Sequence, residues 1–183
     1  MKTKRYKIIL IFVLALNLFL VDKVFAATMT LNLSKEIAGK GEQFYVDLML
    51  DPEGKSINAI SGGITFPSDK VSFVRSEEGK SMIDLWVEKP ERNDNAVNFA
   101  GIITRGFSGV IDPFNQNRRL PGLIIRLLFE AKSSGKADFS TSVFSIYLND
   151  GLGTKIQASA VYHSIDIGEF TNNSKYLNNN KET

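Results

Sequence analysis

Between positions 44 and 51 every second residue is apolar, with Phe44, Val46, Leu48 and Leu50 interleaved by Tyr45, Asp47, Met49 and Asp51. Alternate side chains of a strand point to opposite faces, so this segment reads as a half-buried antiparallel strand. Similar runs occupy 29–33, 57–66, 71–76, 83–87, 97–103, 123–131, 137–147 and 158–162, which makes about nine strands. Gly and Pro punctuate the gaps, as in Gly39-Lys40-Gly41, Pro52-Glu53-Gly54, Pro67-Ser68-Asp69, Lys89-Pro90 and Ser134-Gly135. No long helical pattern competes with them. Many short strands with regularly spaced turns point to an all-β, antiparallel sandwich or jelly roll rather than a parallel α/β sheet.

The first 26 residues read as an export leader. Lys2, Lys4, Arg5 and Lys7 precede an apolar run over 8–21, and Val24-Phe25-Ala26 supplies small residues for cleavage before Ala27. The run is shorter than the roughly 20 apolar residues of a membrane span, so a cleaved signal peptide is expected, with an uncleaved anchor as the competing reading. From Ser164 onward the alternation fades and asparagines crowd the chain, so the expected domain covers 27–163 and a disordered tail covers 164–183.

Composition removes several chemistries. The chain has no cysteine and one histidine, His163, so disulfides, thiolate sites and two-histidine zinc sites are out. The leader holds five of the 22 Lys and Arg and one of the 20 Asp and Glu, which leaves 17 against 19 in the exported part. The basic isoelectric point therefore belongs to the leader, and no nucleic-acid footprint survives its removal.

Familiar motifs fail on inspection. Gly79-Lys80-Ser81 resembles the end of a phosphate loop, but Val74 stands where the first glycine is needed. Asn93-Asp94-Asn95 lacks the Gly and distal Glu of a calcium loop and reads as a hairpin tip. Asn149-Asp150-Gly151-Leu152-Gly153-Thr154 reads as a tight turn, with a calcium site as the alternative. Asn172-Asn173-Ser174 fits a glycosylation triplet in the tail.

Segment 81–88 carries the functional signal. Ser81 and Asp84 have the spacing of a helix cap, but β-prone Leu85-Trp86-Val87 followed by Pro90 favours a strand that ends at the proline. Its parity sends Ile83, Leu85 and Val87 inward and Asp84, Trp86 and Glu88 outward. A water-facing tryptophan needs a sugar ring, a protein surface or a loop folded over it. On 57–66 the outward set is Ile57, Ala59, Ser61, Gly63 and Thr65, and on 97–100 it is Asn98 and Ala100. Together these make a flat, lightly decorated face bordered by Asp84, Trp86 and Glu88. Asp84 and Glu88, four residues apart on a strand, would sit about 13 Å apart at Cα, too far for a glycosidase pair, so no catalytic role is expected.

In order along the chain, 27–33, Gly41-Glu42-Gln43-Phe44-Tyr45-Val46, Ile57-Asn58-Ala59-Ile60-Ser61-Gly62-Gly63-Ile64-Thr65-Phe66-Pro67, Asn98-Phe99-Ala100-Gly101 and 123–131 with Gly135 resemble a cohesin domain over roughly 27–163. The resemblance implies a nine-stranded jelly-roll sandwich, related in fold to carbohydrate-binding modules. It also implies a non-catalytic role, gripping calcium-loaded dockerin modules of polysaccharide-degrading enzymes outside the cell. The chain shows one such domain and no dockerin of its own. The expected docking residues are Ser61, Thr65, Asp84, Trp86, Glu88 and Asn98, with no cofactor or metal. The rival expectation is a carbohydrate-binding module stacking polysaccharide on Trp86 with Tyr45 or Tyr147, and the weakest is a glycoside-acting enzyme using Asp84 and Glu88.

Overall fold

A computed structural model describes residues 26–142 and 144–169. The leader up to residue 25, the tail from 170 and the Asn172 triplet lie outside the described residues. Fourteen strands and no α-helix are present among them: β1 Ala26–Leu33, β2 Ile37–Gly39, β3 Gln43–Asp51, β4 Ile57–Thr65, β5 Val71–Glu77, β6 Leu85–Asn93, β7 Ala96–Phe107, β8 Val110–Asp112, β9 Asn115–Leu120, β10 Gly122–Ala131, β11 Gly135–Thr141, β12 Ser145–Leu148, β13 Lys155–Ala158 and β14 Tyr162–Gly168.

One sheet runs β1-β3-β10-β5, antiparallel throughout. The other runs β6-β7-β4, and then β11 and β12 share the far edge of β4. Strand β14 flanks β11, β13 flanks β12, and β2 adds to β14 in parallel. The first residues of β1 pair in parallel with β13, Ala27 opposite Ala158, so β1 bridges the two sheets. Strands β8 and β9 form a separate hairpin hydrogen-bonded to neither.

Alternation in the sequence becomes the core. Phe44, Val46, Leu48 and Leu50 of β3 are fully buried while the residues between them are half-buried. In β10 a register shift between Leu123 and Ile125 lets consecutive Ile124 and Ile125 both turn inward. Phe129 is the hub of an aromatic cluster, 5.0 Å from Phe66 and from Phe139 of the opposite sheet, both edge-on. Such edge-to-face pairs contribute about 0.5–1.5 kcal/mol each beyond area burial.

The sandwich class is as expected, with differences in detail. The 137–147 run splits into β11 and β12, because the chain leaves the ladder at Ser142, whose N–H bonds Gly63 O at 2.9 Å, and rejoins at Ser145 opposite Ser61. The 158–162 run spans the gap between β13 and β14. The last strand continues to Gly168 and buries Ile165 and Ile167, past the expected limit at 163. Pro90 does not end its strand. It sits inside β6, an edge strand with register shifts on either side of Glu88, where a missing N–H is tolerated.

Candidate functional site

The outer face of β4, β7 and β6 follows from the registers. Residues paired across strands share a face, which gives the rows Tyr147-Ala59-Ile102-Leu85, Ser145-Ser61-Ala100-Glu88, Gly63-Asn98-Glu91 and Ser140-Thr65-Ala96-Asn93. The intervening residues Ile60, Ile64, Val97 and Phe99 point into the core. The middle of the outward face is thus built from alanine, serine and glycine, and its β6 border carries carboxylates. Gly63 is needed here, since a Cβ at that position would collide with the Asn98 amide oxygen that lies over it.

Four expected residues, Ser61, Thr65, Glu88 and Asn98, share this face. Thr65 Oγ1 donates to Ser140 O at 3.1 Å, which ties β4 to β11. Glu88 and Asn98 line a shallow polar cleft of about 620 Å³ together with Lys89, Glu91, Arg92 and Asn93. Asp84 stands at the approach to β6, where its carboxylate accepts the Thr104 N–H at 3.0 Å and the Thr104 hydroxyl at 2.7 Å. Those two donors, the backbone one foremost, hold its pKa below the ordinary value. A general acid needs the opposite shift.

Trp86 corrects the sequence reading. It pairs with Gly101, whose other neighbour is the buried Ile60, so the indole is on the inner face. There it packs edge-on against Phe99, with ring centroids 6.0 Å apart and planes at 85°. Leu85 and Val87, expected inside, are 51% and 63% exposed. The register shift between Trp86 and Glu88 breaks strict alternation, and the large indole gains more from half-burial at the sheet edge than either aliphatic side chain does. Ile57, expected outside, is fully buried, because β4 and β7 shift register between Ile57 and Ala59. Leu85 and Val87 are thus apolar groups at the border of the face that the parity argument missed. An irregularity beside a proline is the one signal that pointed to them.

The three rings of the carbohydrate reading do not share a platform. Trp86 faces inward, Tyr147 lies on the outer face beside Ala59, and Tyr45 projects from the other sheet. Tyr45 is covered by the Arg126 guanidinium, 5.0 Å from its ring centroid, and its hydroxyl donates to Glu77 at 3.2 Å. Arg126 is itself held by both Asp47 oxygens at 2.7 and 2.6 Å, which raises its pKa. His163 lies on β14 with Nδ1 2.9 Å from Leu31 O. The 149–154 segment closes on itself, with the Leu152 N–H bonded to Asp150 at 2.9 Å and positive φ at Gly151 and Gly153. Among the described residues no cluster of three or more His, Asp or Glu side chains is placed to hold a metal ion.

No family model matches the sequence, and no curated protein does. Solved structures do match. A cohesin module of a family 33 glycoside hydrolase from Clostridium perfringens superposes with a TM-score of 0.61 at 7% identity, covering 79% of this chain and 98% of that one. A non-cellulosomal cohesin from the archaeon Archaeoglobus fulgidus gives 0.60 at 12% identity, covering 79% and 92%. A type I cohesin–dockerin complex from Clostridium thermocellum gives 0.57 at 12% identity, covering 78% and 95%. Over 78–79% of its length, this chain has the cohesin fold.

Proposed function

We propose that the chain is an exported, non-catalytic docking module that binds a protein, a calcium-loaded dockerin of a polysaccharide-degrading system, on the outer face of β4, β7 and β6. The observation that carries this reading is the face itself. Ala59, Ser61 and Ala100 leave it smooth enough for another backbone to approach, Leu85 and Val87 offer exposed apolar groups at its β6 border, and Thr65, Asp84, Glu88 and Asn98 supply polar groups beside them. Apolar contact groups flanked by polar ones are a usual division of labour at protein interfaces. Trp86 supports this face from beneath. The solved cohesin–dockerin complexes among the structural neighbours give the partner class its chemistry.

Titration calorimetry with calcium-loaded dockerins encoded in the same genome tests it, comparing wild type with Ala100→Arg. Placing a guanidinium in the middle of the smooth face should weaken binding by about a hundredfold or more, with an unchanged melting temperature. Equal affinity of both proteins would overturn the assigned face. Retention of wild type on insoluble polysaccharide, with no dockerin bound, would overturn the partner class.

A further inference from the structure

The β8–β9 hairpin leaves the sandwich between β7 and β10 and joins neither main sheet. At its tip Phe114 is 97% exposed, and Val110 and Ile111 behind it are about half exposed. Registers place Val110 opposite Leu120 on one face of the ribbon and Ile111 opposite Arg119 on the other. The apolar groups therefore surround the ribbon instead of forming one flat patch. A folded protein surface covers one face of such an element, whereas a fluid apolar medium can envelop the tip and both faces.

Charge selects which medium. The ribbon's only carboxylate, Asp112, is buried, accepting the Phe114 N–H at 2.9 Å and facing Arg118 at 3.9 Å. Arg118 and Arg119 are exposed. The rest of the described domain is acidic: residues 26–169 without the hairpin carry 13 Lys and Arg against 17 Asp and Glu. A basic, aromatic-tipped projection on an acidic body is complementary to an anionic layer with an apolar interior. Arg119 stands opposite Ile111, one ladder step from the Asp112–Asn115 pair at the tip, and residues 116–118 bulge out of the ladder between them, so both arginines lie close behind the tip. Interfacial elements sink roughly 5–10 Å below the headgroups, and long arginine stems can reach back to the phosphates from that depth.

We propose that the hairpin is a membrane-surface anchor that seats Phe114 and Ile111 in the interface of an anionic lipid bilayer, with Arg118 and Arg119 reaching back to the phosphates. The anchor does not rest on the dockerin reading.

Phe114→Trp in the full chain provides a local probe, with wild type, whose only indole is Trp86, as the reference. Vesicles of phosphatidylcholine containing about 30% phosphatidylglycerol should blue-shift the added indole and allow brominated acyl chains to quench it, at lipid concentrations on the order of a millimolar. Arg118→Ala with Arg119→Ala should weaken this binding by about fivefold per arginine. Phe114→Ser should weaken co-sedimentation by about tenfold or more while leaving partner affinity on the β4-β7-β6 face unchanged. No shift of the indole at 114 would overturn the proposal, whatever the leader does, because the probe reads the hairpin itself. Equal insertion into neutral vesicles would overturn the assignment to an anionic surface. A shift produced by a dockerin and not by vesicles would hand the hairpin to a protein partner.

Discussion

Trp86 belongs to the packing beneath the proposed docking face and not to the face itself. Its indole is half-buried against Phe99, so Trp86→Ala should destabilise the chain by about 2–3 kcal/mol, below the 3–5 kcal/mol of a fully buried aromatic. Urea unfolding followed by circular dichroism checks this, since the substitution removes the only tryptophan. On the proposed docking reading, dockerin affinity should fall by less than about tenfold, because an inward side chain contributes through support and not through contact. Asp84 gives a residue-scale test of a different kind. Its folded-state pKa lies below the ordinary 3.8, chiefly through the Thr104 N–H, so the ionised carboxylate favours the folded state above that value. The contribution is lost as pH falls through the lower, folded-state pKa. Asp84→Asn should therefore flatten the acid limb of stability, read as urea midpoints between about pH 5 and about pH 2, and leave the slope above pH 5 untouched.

At the scale of elements, β6 shows where reading alternation works and where it stops. The β3 pattern was legible because eight consecutive residues keep one parity in a central strand, where a slip would turn four large apolar side chains into water. Strand β6 is an edge with one neighbour, two register shifts and Pro90, so nothing enforces parity along it, and the inward choice passes from Leu85 and Val87 to Trp86. The same difference explains the candidate site. The outward placement of Ser61, Thr65 and Asn98 was legible on regular stretches of β4 and β7, while that of Leu85 and Val87 was not. Strand β9 carried no apolar signal from Asn115 to Arg119 because both its faces meet solvent. Gly101, paired with Trp86, tests the packing under the edge. A Cβ there would collide with the Ile83 side chain, so Gly101→Ala should destabilise by roughly 1–3 kcal/mol and shift Trp86 emission as the indole is displaced.

On the scale of the whole molecule, closure of the sandwich depends on its ends. Strand β1 reaches across both sheets, and β14 both completes the second sheet and carries β2 as a parallel edge. Polar residues at 162–164 hide this role in the sequence, since the two isoleucines that matter, Ile165 and Ile167, follow them among Asp166 and Gly168. Each is nearly fully buried, and each contributes about 1.5–3 kcal/mol by burial, so together they supply roughly 3–6 kcal/mol. That is comparable with the 5–15 kcal/mol by which a domain of this kind is typically stable. A chain ending at His163 loses both side chains, the partner of β2 and much of the pairing of β11. It should be largely unfolded at 25 °C, whereas a chain ending at Glu169 should unfold cooperatively at the midpoint of the full chain. If the shorter chain kept a cooperative transition within about 1 kcal/mol of the longer one, β14 would be an appendage and the sandwich would close without it.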